Sequence, residues 1–132
     1  MTTLKSQVFQ SDVPMERIVG FLSENENFRV LLPSNQISDF KCSKDQFSFK
    51  FAGQIELALE KIEVTTESLH FKGLPSNPID FELFVYLQQK KNHTTGFILV
   101  NAQLNPMMKM LIQNPLQKLL SQIAENLALQ LN

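Results

Sequence analysis

Side chains that commonly carry out chemistry are few in this chain and lie far apart in the sequence. There are two histidines, His70 and His93, and one cysteine, Cys42. A nucleophilic cysteine needs a base beside it, and a metal site needs several His, Cys or carboxylate ligands at short spacing. None of the three residues has such neighbours in the sequence, so we predict no metal site and no catalytic dyad at Cys42. His70 is predicted to point to solvent from a strand.

Two further chemistries are not indicated. Four scattered glycines cannot form a phosphate-binding loop: Gly20, Gly53, Gly73 and Gly96. Acidic residues cluster between 56 and 67, and two carboxylates on one strand face could act as acid and base. Glu56 and Glu60, however, lie opposite the apolar face of their strand. We therefore expect them to be solvated.

Apolar residues point more clearly to a function. Met107, Met108 and Met110 stand at the beginning of a long apolar helix pattern, and the chain has eleven Phe and no Trp. Thioether side chains adapt to apolar surfaces of varied shape. Two interpretations of the methionines stay open, core packing and a deformable cavity wall.

The composition is that of one globular domain over residues 1–132. Apolar residues make up 43% of the chain and charged residues 19%. Twelve basic and thirteen acidic residues give a formal charge of −1, which argues against a nucleic-acid-binding or anionic-membrane-binding surface. A single cysteine excludes an internal disulfide. No apolar run approaches the roughly 20 residues of a membrane span, and the N-terminus lacks a signal core, so we expect a cytoplasmic protein.

Two short helices are predicted near the N-terminus, over 14–23 and 26–32. Apolar residues recur there at helical spacing. Pro14 suits a first helical turn, and Ser11 or Asp12 can cap the first helix.

A change to alternating apolar and polar residues marks the next part of the chain, from 36 to 104. Such alternation is typical of half-buried strands, and short polar turns between the strands indicate an antiparallel meander. Six strands are predicted here, or seven with residues 4–10. The inward residues include Phe47, Phe49, Phe51, Leu57, Leu59, Leu69, Phe71, Phe81, Leu83, Val85, Ile98 and Val100.

A long helix is predicted over 106–130. Asn105 is a good N-cap, Pro106 suits the first helical position, and one helical face is apolar as far as Leu131. Pro115 should bend the helix near Leu111, because the Leu111 carbonyl loses its hydrogen-bond donor.

This order of elements resembles the START and birch-pollen-allergen superfamily, often called SRPBCC, over essentially the whole chain. The segments SDVPMERI at 11–18 and LNPMM at 104–108 are similar to that family's two strand-to-helix junctions. The resemblance implies an α+β helix-grip fold, in which a curved antiparallel sheet wraps around the C-terminal helix and leaves a cavity between them. It also implies a choice of functions, since members bind lipids, sterols or polyketides, act as cyclases, or regulate chaperones.

We therefore expect non-enzymatic binding of a small apolar ligand, lipid-like or polyketide-like, in that cavity, with no cofactor. One alternative is a protein-interaction or regulatory module with a solid core, and another is a polyketide cyclase-type enzyme. The oligomeric state is not predicted. The expected ligand-binding residues are Phe49, Phe51, Leu57, Leu59, Phe71, Leu83, Val85, Met108, Leu111 and Ile112.

Overall fold

The predicted order of elements is confirmed. A computed structural model describes residues 1–52 and 55–130; Gly53 and Leu131, which enter the predictions above, lie outside the described residues. The strands are β1 (Thr2–Lys5), β2 (Phe9–Ser11), β3 (Ile37–Cys42), β4 (Gln46–Phe51), β5 (Ile55–Val64), β6 (Ser68–Gly73), β7 (Asp80–Gln89) and β8 (Thr94–Gln103). The helices are α1 (Met15–Ser23), α2 (Phe28–Leu31), which follows a 3₁₀ turn at Asn25–Asn27, and α3 (Pro106–Gln130).

All eight strands belong to one curved antiparallel sheet. Its order is β1-β8-β7-β6-β5-β4-β3, so the six strands from β3 to β8 form a simple meander, and β2 also pairs with β8. The long β7–β8 pair holds ten residues from each strand in register, from Asp80 opposite Gln103 to Gln89 opposite Thr94. Alternate residues of these strands are buried, because one sheet face packs on the helices.

The strand count is eight because the strand predicted over 4–10 is broken in two. Lys5 pairs with Leu99, whereas Phe9 pairs with Gly96, so the first segment carries an extra residue against β8. Ser6 sits at the break. Its N–H donates to the Ile98 carbonyl, and its Oγ accepts a hydrogen bond from the Ile98 N–H at 2.9 Å. A side-chain oxygen thus replaces a backbone acceptor, and both short strands stay on β8.

The beginning of α1 is fixed by a residue distant in sequence. Pro14 occupies the N-cap position and supplies no side-chain cap. The Met15 N–H instead donates to Oε1 of Gln89, at the end of β7, at 2.8 Å. The tertiary fold thus supplies an acceptor to this N–H, and the expected cap from Ser11 or Asp12 stays a prediction.

The long helix α3 begins as predicted and runs without interruption through Pro115. The Met108 N–H donates to Asn105 Oδ1 at 2.8 Å, which confirms Asn105 as the cap. The bend expected near Leu111 stays a prediction. The buried residues of α3 face the concave side of the sheet; they are Ile112, Leu116, Leu119, Leu120, Ile123, Ala124 and Leu127. No helix among the described residues is long and apolar enough to cross a membrane.

Candidate functional site: the apolar interior between sheet and helix

Stacked phenylalanines join α2 to the sheet. The rings of Phe28 on α2 and Phe47 on β4 stack with centroids 4.4 Å apart, and Phe28 also meets the Phe71 ring edge-on at 5.4 Å. All three rings are buried. Aromatic pairs in such geometries contribute about 0.5–1.5 kcal/mol beyond their area burial. These contacts hold α2, only four residues long, against one end of the concave face.

A small enclosed void lies beside these rings, between the sheet and α3. Its volume is about 20 Å³, roughly enough for a single water molecule. Every lining residue is apolar, so we expect the void to be dry. The lining residues are Phe28, Leu32, Phe47, Phe49, Leu57, Leu59, Phe81, Leu83, Val100, Leu116, Leu119, Leu120 and Ile123.

Cys42 has a carboxylate neighbour that the sequence did not indicate. Its thiol donates to Glu26 Oε2 at 2.8 Å, and Arg29 Nε donates to Glu26 Oε1 at 2.6 Å, all on the protein surface. The hydrogen bond to Glu26 raises the pKa of the Cys42 thiol. Because the thiolate is the nucleophile, this neighbour makes the cysteine less reactive.

His70 lies on the outer face of the sheet, away from the void. Its ring stacks on Phe84 with centroids 4.4 Å apart, and its Nε2 lies 2.5 Å from Glu82 Oε2. The sequence predicts that His70 points to solvent. The residue does lie on the outer face, but only 24% of its side chain is exposed, because the Phe84 ring covers much of it. Within the described residues, no group of three or more His, Cys, Asp or Glu side chains could hold a metal ion.

No protein-family model and no curated protein matches this sequence. Solved structures match it in fold. The protein XoxI from Bacillus cereus has a TM-score of 0.76 at 8% identity, over 99% of this chain and 96% of that one. An Aha1 dimer from Colwellia psychrerythraea has a TM-score of 0.68 at 14% identity, over 99% and 96%. A norcoclaurine synthase mutant from Thalictrum flavum, in complex with a transition-state analogue, has a TM-score of 0.70 at 10% identity, over 99% and 96%. This chain has the helix-grip fold.

Four of the ten expected ligand-binding residues line the void of the grip: Phe49, Leu57, Leu59 and Leu83. Four others are buried elsewhere in the same core: Phe51, Phe71, Val85 and Ile112. The expected ligand-binding residues did not include Phe28 of α2, or Phe47, Phe81 and Val100 of the sheet, although all four line the void. The sequence does indicate that Phe28 and Val100 are buried, since both lie in apolar patterns. Such a pattern does not say which buried residues surround an unfilled space.

The helical wall of the grip differs from the expected one. Leu111 is 63% exposed, so the prediction that it faces the sheet is wrong. Met107 and Met110 are exposed as well, and only Met108 packs partly against the core. Residues 107, 110 and 111 share one helical stripe that points away from the buried face. The wall comes instead from the next turns, from Leu116 to Ile123.

Proposed function

We propose that this protein binds a small apolar molecule, lipid-like or polyketide-like, between the sheet and α3 without transforming it. One observation carries the proposal: the core of the grip contains a void that apolar side chains from the sheet, α2 and α3 surround. Ligand pockets in proteins are concave and predominantly apolar. The related fold of norcoclaurine synthase, in which that protein holds a transition-state analogue, lends support.

Binding requires the void to expand. At about 20 Å³ it is far smaller than the roughly 300–1,000 Å³ of a typical ligand pocket. The most easily displaced part of the wall is α2, because a four-residue helix has no stability of its own. Beyond the Phe28 ring contacts, α2 is tied to α3 by a hydrogen bond of 2.7 Å from Asn126 Nδ2 to the Leu31 carbonyl. Outward movement of α2 would withdraw Phe28 and open the void.

The lining supports an apolar ligand. Four phenylalanine rings and a set of aliphatic side chains offer no partner to a charged or hydrogen-bonding group. Burying such a group without a partner costs free energy. The part of the ligand that enters should therefore be a hydrocarbon chain or ring, with any polar group left at the rim. A cyclase-type reaction would need an acid or base at this position, and the thirteen lining side chains provide none.

The experiment compares two leucines of α3. Leu119 lines the void, whereas Leu127 is buried but not part of the lining. Naphthalene and a fluorescent anilinonaphthalene probe would be titrated into the parent protein and into Leu119→Ala and Leu127→Ala, with binding followed by fluorescence and methyl NMR. We expect weak binding by the parent and binding about tenfold tighter or more by Leu119→Ala, because the enlarged void lowers the cost of opening.

A second candidate is a protein-interaction or regulatory module with a solid core. The small size of the void favours it. The same titrations separate the two: no probe binding by the parent and none by a folded Leu119→Ala would exclude ligand binding and leave the interaction module. Equal effects of Leu119→Ala and Leu127→Ala would show that the void has no special role.

A further inference from the structure

The outer face of the sheet carries an aromatic surface, which we call the outer patch and define as His70, Phe84, Tyr86, Phe97 and Leu99. Its rings form a continuous series, with centroids 4.4 Å apart for His70–Phe84, 5.7 Å for Phe84–Tyr86 and 5.5 Å for Tyr86–Phe97. Tyr86 is 38% exposed and the other members are half-buried. The solvent face of an antiparallel sheet is ordinarily polar, so a contiguous apolar surface here is a candidate contact site.

Two opposite charges flank the outer patch at equal distances. The register of the sheet places Lys5, Leu99, Phe84, His70 and Glu63 side by side, one on each of the five strands β1, β8, β7, β6 and β5. Lys5 and Glu63 are both exposed, and each lies two strands from Phe84, about 10 Å at the usual strand spacing. The Lys5 ammonium lies 4.2 Å from the centre of the Phe97 ring.

We propose that the outer patch binds a second copy of this chain, with a two-fold axis parallel to β7. Rotation about such an axis exchanges the two sides of β7, so Phe84 meets Phe84 of the partner subunit and Lys5 meets Glu63 of the partner subunit. The contact is isologous, and each dimer contains the Lys5–Glu63 pair twice. The two sheets would then pack face to face with their strands roughly aligned, which is a common arrangement.

The charges select this geometry over the alternatives. A two-fold axis perpendicular to the strands would bring Lys5 against Lys5 and Glu63 against Glu63, and like charges in contact oppose association. Glu82, also on β7, would meet itself across the proposed axis. The contact should therefore be centred between Phe84 and Tyr86. It should extend along the strands in the direction of Phe97, which is the direction away from Glu82.

The first test is the oligomeric state of the parent protein, by sedimentation equilibrium from micromolar to millimolar concentration. We expect a dimer that Tyr86→Lys dissociates, because the substitution places a charge near the axis. Met110→Lys is the matched control, since Met110 is 87% exposed on α3, away from the outer patch. Circular dichroism checks folding, and Tyr86→Ser replaces Tyr86→Lys should the latter unfold. A monomeric parent over this range, or a dimer that persists in the Tyr86 variant, would overturn the proposal.

The second test is a charge exchange. Lys5→Glu and Glu63→Lys should each weaken the dimer by about tenfold or more at low salt, since each creates two like-charge contacts. The double variant restores opposite charges and should return the dissociation constant to near that of the parent. Lys109→Glu and Glu125→Lys, at exposed positions of α3, control for net charge. A double variant no tighter than the single ones, or single variants that match their controls, would contradict the proposed arrangement.

Discussion

The side-chain amide of Asn77 pairs with both backbone groups of Ala58, as a further strand residue would. Ala58 N–H donates to Asn77 Oδ1 at 2.8 Å, and Asn77 Nδ2 donates to the Ala58 carbonyl at 2.9 Å. The β5–β6 pairing ends next to this point, at Leu59 opposite Gly73. Asn77, in the loop between β6 and β7, thus supplies an acceptor to the Ala58 N–H and shares the Ala58 carbonyl with the Leu74 N–H, which donates to it at 3.0 Å.

Removal of this amide should destabilise the protein. We expect Asn77→Ala to lower the free energy of unfolding by about 1–3 kcal/mol, because the part-buried Ala58 N–H loses its acceptor, while the Ala58 carbonyl keeps the Leu74 N–H as a donor. Asn77→Asp should cost less, since it keeps an acceptor for the Ala58 N–H. Urea denaturation measures both, with Asn92→Ala in the exposed β7–β8 turn as the control. Equal effects of Asn77→Ala and Asn92→Ala would show that the pairing contributes nothing.

Gly96 and Gly20 should respond to alanine with opposite signs. A Cβ at Gly96 would lie 2.7 Å from the Tyr86 carbonyl oxygen and 2.9 Å from the Phe9 ring, whereas a Cβ at Gly20 meets nothing within 4 Å. The Tyr86 carbonyl belongs to the β7 backbone and cannot move freely. We expect Gly96→Ala to cost about 1–3 kcal/mol, and Gly20→Ala, on the exposed face of α1, to stabilise by about 0.5–1 kcal/mol. Thermal unfolding of the two variants tests this; a gain in stability for Gly96→Ala would contradict it.

Phe49 and Ile123 line the same void from opposite walls, and each is 4% exposed. With so little unfilled space, truncation of either should be expensive: about 3–5 kcal/mol for Phe49→Ala and about 2–5 kcal/mol for Ile123→Ala. Denaturant unfolding measures both losses. A much smaller loss for Phe49→Ala alone would mean that the ring is already partly unpacked in solution and that the cavity is larger than the structure shows.

The Cys42 thiol should become more reactive when its carboxylate neighbour is neutralised. Glu26 raises the pKa of Cys42, chiefly through the hydrogen bond, while the charge of Arg29 lowers it. Glu26→Gln therefore lowers the thiol pKa, so more thiolate is present near pH 8, and alkylation by iodoacetamide should accelerate about two- to tenfold. Glu24→Gln, an exposed glutamate on the same segment, is the control. An unchanged or slower rate would contradict this account of the pKa.

The sequence by itself determined the elements and their order. Alternation at Phe47, Phe49 and Phe51 defined β4, and Asn105 with Pro106 defined the beginning of α3; both predictions are confirmed. These signals are local, because side-chain direction repeats every two residues in a strand and about every 3.6 in a helix. Several strands joined by short turns and followed by one long apolar helix leave few arrangements that bury every apolar face.

Tertiary structure alone decided how the faces meet. The size of the void depends on the curvature of the sheet and on the position of α3 above it. The wall contains Leu116 and Leu119, about two helical turns beyond the expected Met108 and Leu111. The contacts of Gln89 with Met15 and of Glu26 with Cys42 join residues far apart in the chain. The outer patch exists only because strand register aligns residues of neighbouring strands. Periodicity reports which side of an element is apolar; it carries no information about which residues of another element lie opposite.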